Sequence, residues 1–355
     1  MPVWKSDACF VYTLKITFRK ESKGRSMLKL SKAFVAAACL IVAVLSVSAQ
    51  KKAEIIVPKS YQPPKMENSA ELQTLLAAAV SESVAAVPEE RRRQMKVSAA
   101  LIDVTDPTLL RTADVAGENA LYPASVVKMF YMAALERQLE DGKVLMTKEL
   151  ERGLRDMIVD SSNEATQYIL DVLTDTASGA EKPQKEFEAW QFKRNRVNRW
   201  LTAMGYQNIN VNQKTFCEDA YGIEQQSRNY KGENRNMLTA NATARMMAEI
   251  VLGRLNTPER TAAMMKLMHR EPFTAKDDSQ ATEYTGKAFV RRGLNSARLW
   301  SKAGWTDTAR HDAAYVELPN GKKIVLAIFT EKNADDKELI SAIAGKVIDE
   351  VLKQK

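Results

Sequence analysis

Strand-like patterning sits near the two ends of this chain, with a long helical stretch between them. Lys96 to Val104 is apolar and β-branched enough for a strand, and Leu109 to Val115 reads as its hairpin partner. Towards the other end, Arg298–Trp305, Ala313–Leu318 and Lys323–Thr330 are three more short runs. The last two are joined through Pro319-Asn320-Gly321, whose Asn-Gly pair is a strong hairpin signal. From Ala124 to about Leu173 the pattern is helical, broken near Gly142 and again around Asp160, and Lys185–Met204 and Asn241–Leu252 read as further helices. Thr174–Gln184 and residues 276–297 read as loops. Glu71–Val87 and Asp335–Leu352 are helical in pattern and flank the strands. The expectation is an α+β fold: an antiparallel sheet formed from both chain ends, flanked by helices, with an all-helical subdomain inserted over about residues 124–275. No internal repeat is evident.

The first fifty residues have a different character. Met27-Leu28-Lys29-Leu30-Ser31-Lys32 is basic, Ala33–Leu45 is an uninterrupted small and apolar run, and small residues lead up to Ala49. This is the layout of a secretory signal peptide over 27–49, cleaved after Ala49, and the run is short of the roughly 20 apolar residues a membrane span needs. Residues 1–26 then form an upstream extension, residues 50–68 a polar, proline-containing linker, and 69–353 the folded domain. Periplasmic or secreted localisation follows, with no stable membrane span after cleavage. Residues 1–50 carry +6 of the formal +8, so the remainder holds about +2 and the basic balance does not describe a nucleic-acid surface. Beyond this leader the one cysteine is Cys217, which excludes an intrachain disulfide, and His269 and His311 are too few for a convincing zinc site. No metal or cofactor is expected.

Chemistry enters at Ser125-Val126-Val127-Lys128. A serine hydroxyl is a poor nucleophile until its proton is removed. Residues three apart share one helix face, so the Lys128 amine can lie beside the Ser125 oxygen. Pro123 suits the first turn of a helix, which places Ser125 near a helix N-terminus, where free N–H groups and the positive dipole end favour developing negative charge. Ser161-Ser162-Asn163 is a polar cluster ahead of Tyr168-Ile169-Leu170; it reads either as an N-cap or as a second hydroxyl and an amide placed for proton relay and substrate holding. Lys302-Ala303-Gly304 lies on the Arg298–Trp305 strand, where a glycine beside a lysine allows close approach of a ligand to the backbone. Lys302 can bind an anionic group, and its charge can lower the pKa of the Lys128 amine.

These three elements, in this order on this layout, resemble the serine β-lactamase and penicillin-binding protein superfamily, whose patterns are Ser-x-x-Lys, Ser-Asp-Asn and Lys-Thr-Gly. The resemblance is closest to class A β-lactamases and covers roughly residues 69–353. It implies Ser125 as the acylated nucleophile and Lys128 as its base or a member of its proton network. It implies Ser161 as a proton shuttle, Asn163 as the holder of the substrate amide, and Lys302 beside Gly304 as the binder of a substrate carboxylate. The N–H groups of Ser125 and Trp305 would form an oxyanion hole, and Arg310 is a second candidate carboxylate contact. Departures are Ser162 for the family's aspartate, Ala303 for its threonine or serine, and a shorter stretch between the first two motifs. No Glu-x-x-Leu-Asn pattern supplies a deacylating base; Glu218 and Glu224 are candidates by position, and both also read as ordinary loop acids.

The implied function is an exported, monomeric hydrolase of class A β-lactamase type, a resistance determinant that opens β-lactam amides through a Ser125 acyl-enzyme. The alternatives are a D-Ala-D-Ala peptidase or esterase acting on peptidoglycan peptides, and a penicillin-binding module that does not hydrolyse its adduct.

Overall fold

The computed structural model describes residues 54–354 apart from Asp277. The upstream extension and signal peptide expected over 1–49, with Cys9 and Cys39, lie outside the described residues. Among the described residues seven strands form one sheet: β1 (Met66–Asn68), β2 (Lys96–Asp103), β3 (Leu110–Val115), β4 (His269–Arg270), β5 (Arg298–Trp305), β6 (Ala309–Glu317) and β7 (Lys323–Glu331). Their order is β1-β3-β2-β7-β6-β5-β4. The two chain ends meet where β2 pairs antiparallel with β7, Leu101 opposite Leu326. The sheet is antiparallel except at its edge, where β1 runs parallel to β3.

The central strands are buried on both faces, and the pleat divides their side chains between two cores. Ala99, Leu101, Leu326 and Ile328 pack against α1 (Ala70–Ala85) and the closing C-terminal helix Leu339–Lys353, through Leu76, Ile343 and Val347. Ala100, Ile102, Val325, Ala327 and Phe329 face the helical subdomain. At the centre of that subdomain runs α2 (Val127–Glu140), in which every residue from Val127 to Leu139 is buried. Its first half is mostly apolar, and the polar side chains buried with it find partners: Lys128 on Asn163, Glu136 on Arg260, Arg137 on Glu140 and Gln138 on the Leu173 carbonyl. It is followed by α3 (Lys148–Ile158) and α4 (Asn163–Thr174). Among the described residues no helix is long and apolar enough to cross a membrane.

Three expectations need correction. Residues 54–68 do not behave as a free linker: Ile55 is buried, Tyr61 donates to Glu249 Oε1 at 2.9 Å, Arg199 pairs with Glu54, and Met66–Asn68 is strand β1. The stretch 185–204 is two helices, α5 (Gln184–Arg194) and α6 (Arg196–Ala203), because the Asn195 side chain at the junction accepts from Asn198 (2.7 Å) and Asn212 (3.0 Å), a local competitor to continued helix. The stretch 276–297 holds two short helices, α7 (Ser279–Thr282) and α8 (Thr285–Arg292), where a loop was expected. Their starts are set by distant or capping carboxylates: Asp278 caps the first, and Asp312 on β6 accepts from the N–H and hydroxyl of Thr285 (3.1 and 2.7 Å).

Candidate active site

A strained turn presents Ser125. Ala124–Val126 is a 3₁₀ turn feeding directly into α2, and Ala124 has φ +46°, a left-handed conformation that non-glycine residues seldom adopt. The turn is pinned from the sheet by His311. Thr330 N–H donates to His311 Nδ1 (3.1 Å), so the ring proton resides on Nε2, which donates to the Tyr122 carbonyl (2.9 Å). The imidazole stacks on Phe329 with centroids 4.4 Å apart. Burial pushes its pKa down from 6.5 to about 4.

That depression has a stability consequence. As pH falls below 6.5 the unfolded chain protonates His311 while the folded ring stays neutral until about pH 4. The folded state is therefore expected to lose on the order of 3 kcal/mol as pH drops from 6.5 to 4, and nothing from this group above 6.5. Urea unfolding of the native protein and of His311→Gln, each at neutral pH and near pH 4, checks this: the variant should lose the His311 share of the acid sensitivity, and an equal acid loss in both proteins would assign it to other groups.

Strand β5 passes the turn at backbone contact. A Cβ built on Gly304 would meet Pro123 O at 2.7 Å, Ser125 N at 2.9 Å and Val126 N at 3.0 Å. Thr306 N–H donates to Ala309 O, which makes 304:311 a hydrogen-bonded pair and 305:310 a non-hydrogen-bonded one. The Trp305 N–H thus points away from β6, on the same strand edge as the Ala303 N–H. The Trp305 side chain is 61% exposed at the cleft rim.

Ser161 and Asn163 arrive from the α3–α4 junction. Ser162 is the N-cap of α4, its Oγ accepting from Ala165 N–H (3.1 Å), so the N-cap reading of the cluster is correct for this residue. Capping by Ser162 leaves its neighbours to face inward, with Ser161 at φ +58°. Lys128 Nζ contacts Ser161 O (2.5 Å), Asn163 Oδ1 (2.9 Å) and Ser161 Oγ (3.3 Å). Lys302 Nζ contacts Gln280 Oε1 (2.7 Å), Ala303 O (2.8 Å) and the same Ser161 Oγ (3.0 Å). One hydroxyl therefore joins two buried amines. Burial lowers the Lys128 pKa to about 7, with Glu164 and Cys217 opposing the shift. Burial also takes Lys302 well below the usual lysine range, helped by the charges of Lys128 and Arg270 and opposed by Asp312 and Asp278.

A cleft of about 960 Å³ opens over these groups, bordered by Ser125, Ser161, Asn163, Gly304, Trp305 and Arg310. Lys128 and Lys302 lie beneath its floor, fully buried. Arg310 is already engaged: it donates to Glu283 Oε2 (2.6 Å) and lies over the Tyr284 ring. The two candidate acids separate clearly. Glu218 borders the cleft. Glu224 is buried off it, held by Arg194 (2.6 and 2.8 Å) and Ser178 (2.8 Å); burial opposes its ionisation, but Arg194 and Lys214 outweigh that and keep its pKa low. Asn163 Nδ2 donates to the Cys217 thiol at 3.4 Å. Sequence reasoning did not single out Gln280, which sat in an expected loop without a motif, nor Thr215, whose hydroxyl is buried without a partner among the described residues while the residue borders the cleft.

No curated protein matches the sequence. A profile of the beta-lactamase enzyme family matches residues 79–351. Among solved structures, the beta-lactamase of Sphaerobacter thermophilus superposes with a TM-score of 0.56 at 20% identity, covering 79% of this chain and 96% of its own. PBP-A superposes with a TM-score of 0.56 at 17% identity, covering 82% of this chain and 100% of its own. A PBP-A mutant solved as an acyl-enzyme complex with penicillin G gives 0.55 at 18% identity over the same shares, 82% and 100%. At these identities the structural likeness is one of fold. The family profile covers most of the chain, from α1 through the closing helix and across every element that borders the cleft, and on that ground the chain belongs to the beta-lactamase enzyme family and is a serine β-lactamase-like hydrolase.

Proposed function

We propose that this protein is an exported hydrolase of class A β-lactamase type, acylated at Ser125 by β-lactam amides. The observation that carries the reading is the Lys128–Ser161–Lys302 relay under the cleft that Ser125 borders. Lys128 hydrogen-bonds Ser161 and Asn163 rather than Ser125; neutral above about pH 7, it would turn to take the Ser125 proton as Oγ attacks the lactam carbonyl carbon. The developing oxyanion faces the N–H groups of Ser125 and Trp305, each such donor being worth roughly 3–4 kcal/mol. As the C–N bond breaks, the departing nitrogen takes a proton from Ser161 Oγ, which Lys128 replenishes. Asn163 holds the substrate amide, and Lys302 with Arg310 supplies positive potential for its carboxylate. Water then releases the acyl group, with Glu218, one of the acids bordering the cleft, as its base. Export rests on the pattern of residues 27–49.

A second reading has its own support. Glu224 is committed to Arg194 and Lys214, and among the described residues no carboxylate hydrogen-bonds Lys128, Ser161 or Lys302, so slow release is favoured. PBP-A, with a mutant captured as a penicillin G acyl-enzyme, shares the fold. A D-Ala-D-Ala peptidase or esterase fits that pattern, with its lactam adduct long-lived.

Intact-mass spectrometry after exposure to benzylpenicillin tests both. A one-equivalent adduct is expected, forming at a rate that rises about tenfold per pH unit and levels near pH 7. Rapid turnover of a chromogenic cephalosporin supports the first reading; a persistent adduct with cleavage of D-Ala-D-Ala peptides supports the second. Absence of any adduct on folded protein sinks both.

A further inference from the structure

Gln280, on α7, uses every polar atom of its side chain. Nε2 donates to the carbonyls of Val159 (2.8 Å) and Ile158 (3.2 Å), at the end of α3. Oε1 accepts from Lys302 Nζ (2.7 Å) and from the Ala303 N–H (3.1 Å), on the free edge of β5. A flipped amide would set its two N–H groups against two donors and its oxygen against two carbonyls, so one orientation is dictated. The backbone is held as well: Asp278 Oδ1 accepts from the Gln280 N–H at 2.9 Å.

We propose that Gln280 is a positioning residue for the reaction, a neutral acceptor that holds the Lys302 amine on Ser161 Oγ while tying strand β5 to the end of α3. The inference rests on the serine-acylation reading above and adds a residue that acts through Lys302. The charged groups facing Lys302 are Lys128 from α2, Arg270 from β4, Asp312 from β6 and Asp278 ahead of α7. None of the carboxylates hydrogen-bonds its amine; the three contacts are the neutral oxygens of Ser161, Gln280 and Ala303. A carboxylate at the Gln280 position would lock the amine as an ammonium ion. A neutral amide oxygen fixes its place and leaves it free to exchange a proton with Ser161.

Two variants test this. Gln280→Glu keeps the acceptor and adds charge. It is expected to move the Lys302 titration up by about one pH unit or more, followed by isotope-edited NMR of the lysine Cε atoms in the unliganded protein. Any pH dependence of Ser125 acylation by benzylpenicillin that follows Lys302 should move by the same amount, with the Lys128 rise near pH 7 left in place. Gln280→Met removes the acceptor and is expected to slow acylation by roughly tenfold or more through misplacement of Lys302. A purely structural role would lower the rate at every pH without moving the Lys302 titration. An unmoved Lys302 titration in folded Gln280→Glu overturns the proposal, as does Gln280→Met acylated at the wild-type rate. Failure of the wild-type protein to form an adduct would sink the acylation reading alone, because the NMR titration proceeds without any lactam.

Discussion

Ser125→Ala is expected to abolish covalent capture of benzylpenicillin, lowering the acylation rate by at least about 10³-fold, since removing the nucleophile of a concerted catalytic unit leaves only the binding and oxyanion contributions. The fold should be indifferent to the change. Ser125 is only partly buried at the cleft wall, and its backbone is held by the His311–Tyr122 contact and the start of α2 rather than by its hydroxyl. A stability change within about 0.5 kcal/mol is expected. Peptide mapping of the adduct locates the bond in the wild-type protein, and intact mass of the variant shows its loss. An adduct of undiminished yield on the variant would move the nucleophile elsewhere and end the assignment of Ser125.

Gly304→Ala should be nearly as damaging to activity, for a different reason. Gly304 is not among the glycines with positive φ, so alanine meets no backbone penalty of its own. The conflict is with neighbours: three backbone atoms of the nucleophile turn stand at 2.7–3.0 Å from the position the new Cβ would take. Backbone cannot rotate aside as a side-chain end can. Either β5 retreats, carrying the Trp305 N–H away from the carbonyl oxygen it would stabilise, or the Ala124–Val126 turn is pushed from its place. A misplacement on the order of 1 Å costs roughly 10²-fold in rate, and overpacking of this kind costs about 1–3 kcal/mol in stability. Second-order acylation rates with urea midpoints measured alongside separate the two effects. Wild-type acylation by a folded Gly304→Ala protein would show that the close strand–turn contact is not needed.

How far the sequence could be read depended on the range of the interaction concerned. The Asn320-Gly321 hairpin, the alternation of the end strands and the Ser125–Lys128 spacing are set within a few residues by backbone geometry and side-chain period, and each is readable without knowing any contact. So was the pairing of the chain ends into one sheet, because strands placed only there leave few other partners. The Ser161–Asn163 cluster was half legible: an N-cap and a buried relay make the same demand on residue type, and three consecutive positions turn out to divide the two roles.

Glu218 and Glu224 could not be told apart by pattern, since both are acids a few residues apart on the segment after Gly205. Burial beside Arg194 and Lys214, residues from elsewhere in the fold, removes Glu224 from the cleft. Gln280 carried no local signal at all; its importance comes from four partners on α3 and β5. The depressed pKa values of Lys128 and Lys302 belong to the same class, because desolvation is a property of everything packed around an amine and of nothing in its own neighbourhood along the chain. Short-range geometry thus marked out the fold class and the candidate nucleophile, whereas which of Glu218 and Glu224 borders the cleft, what steadies Lys302 and at what pH the amines exchange protons follow from long-range packing.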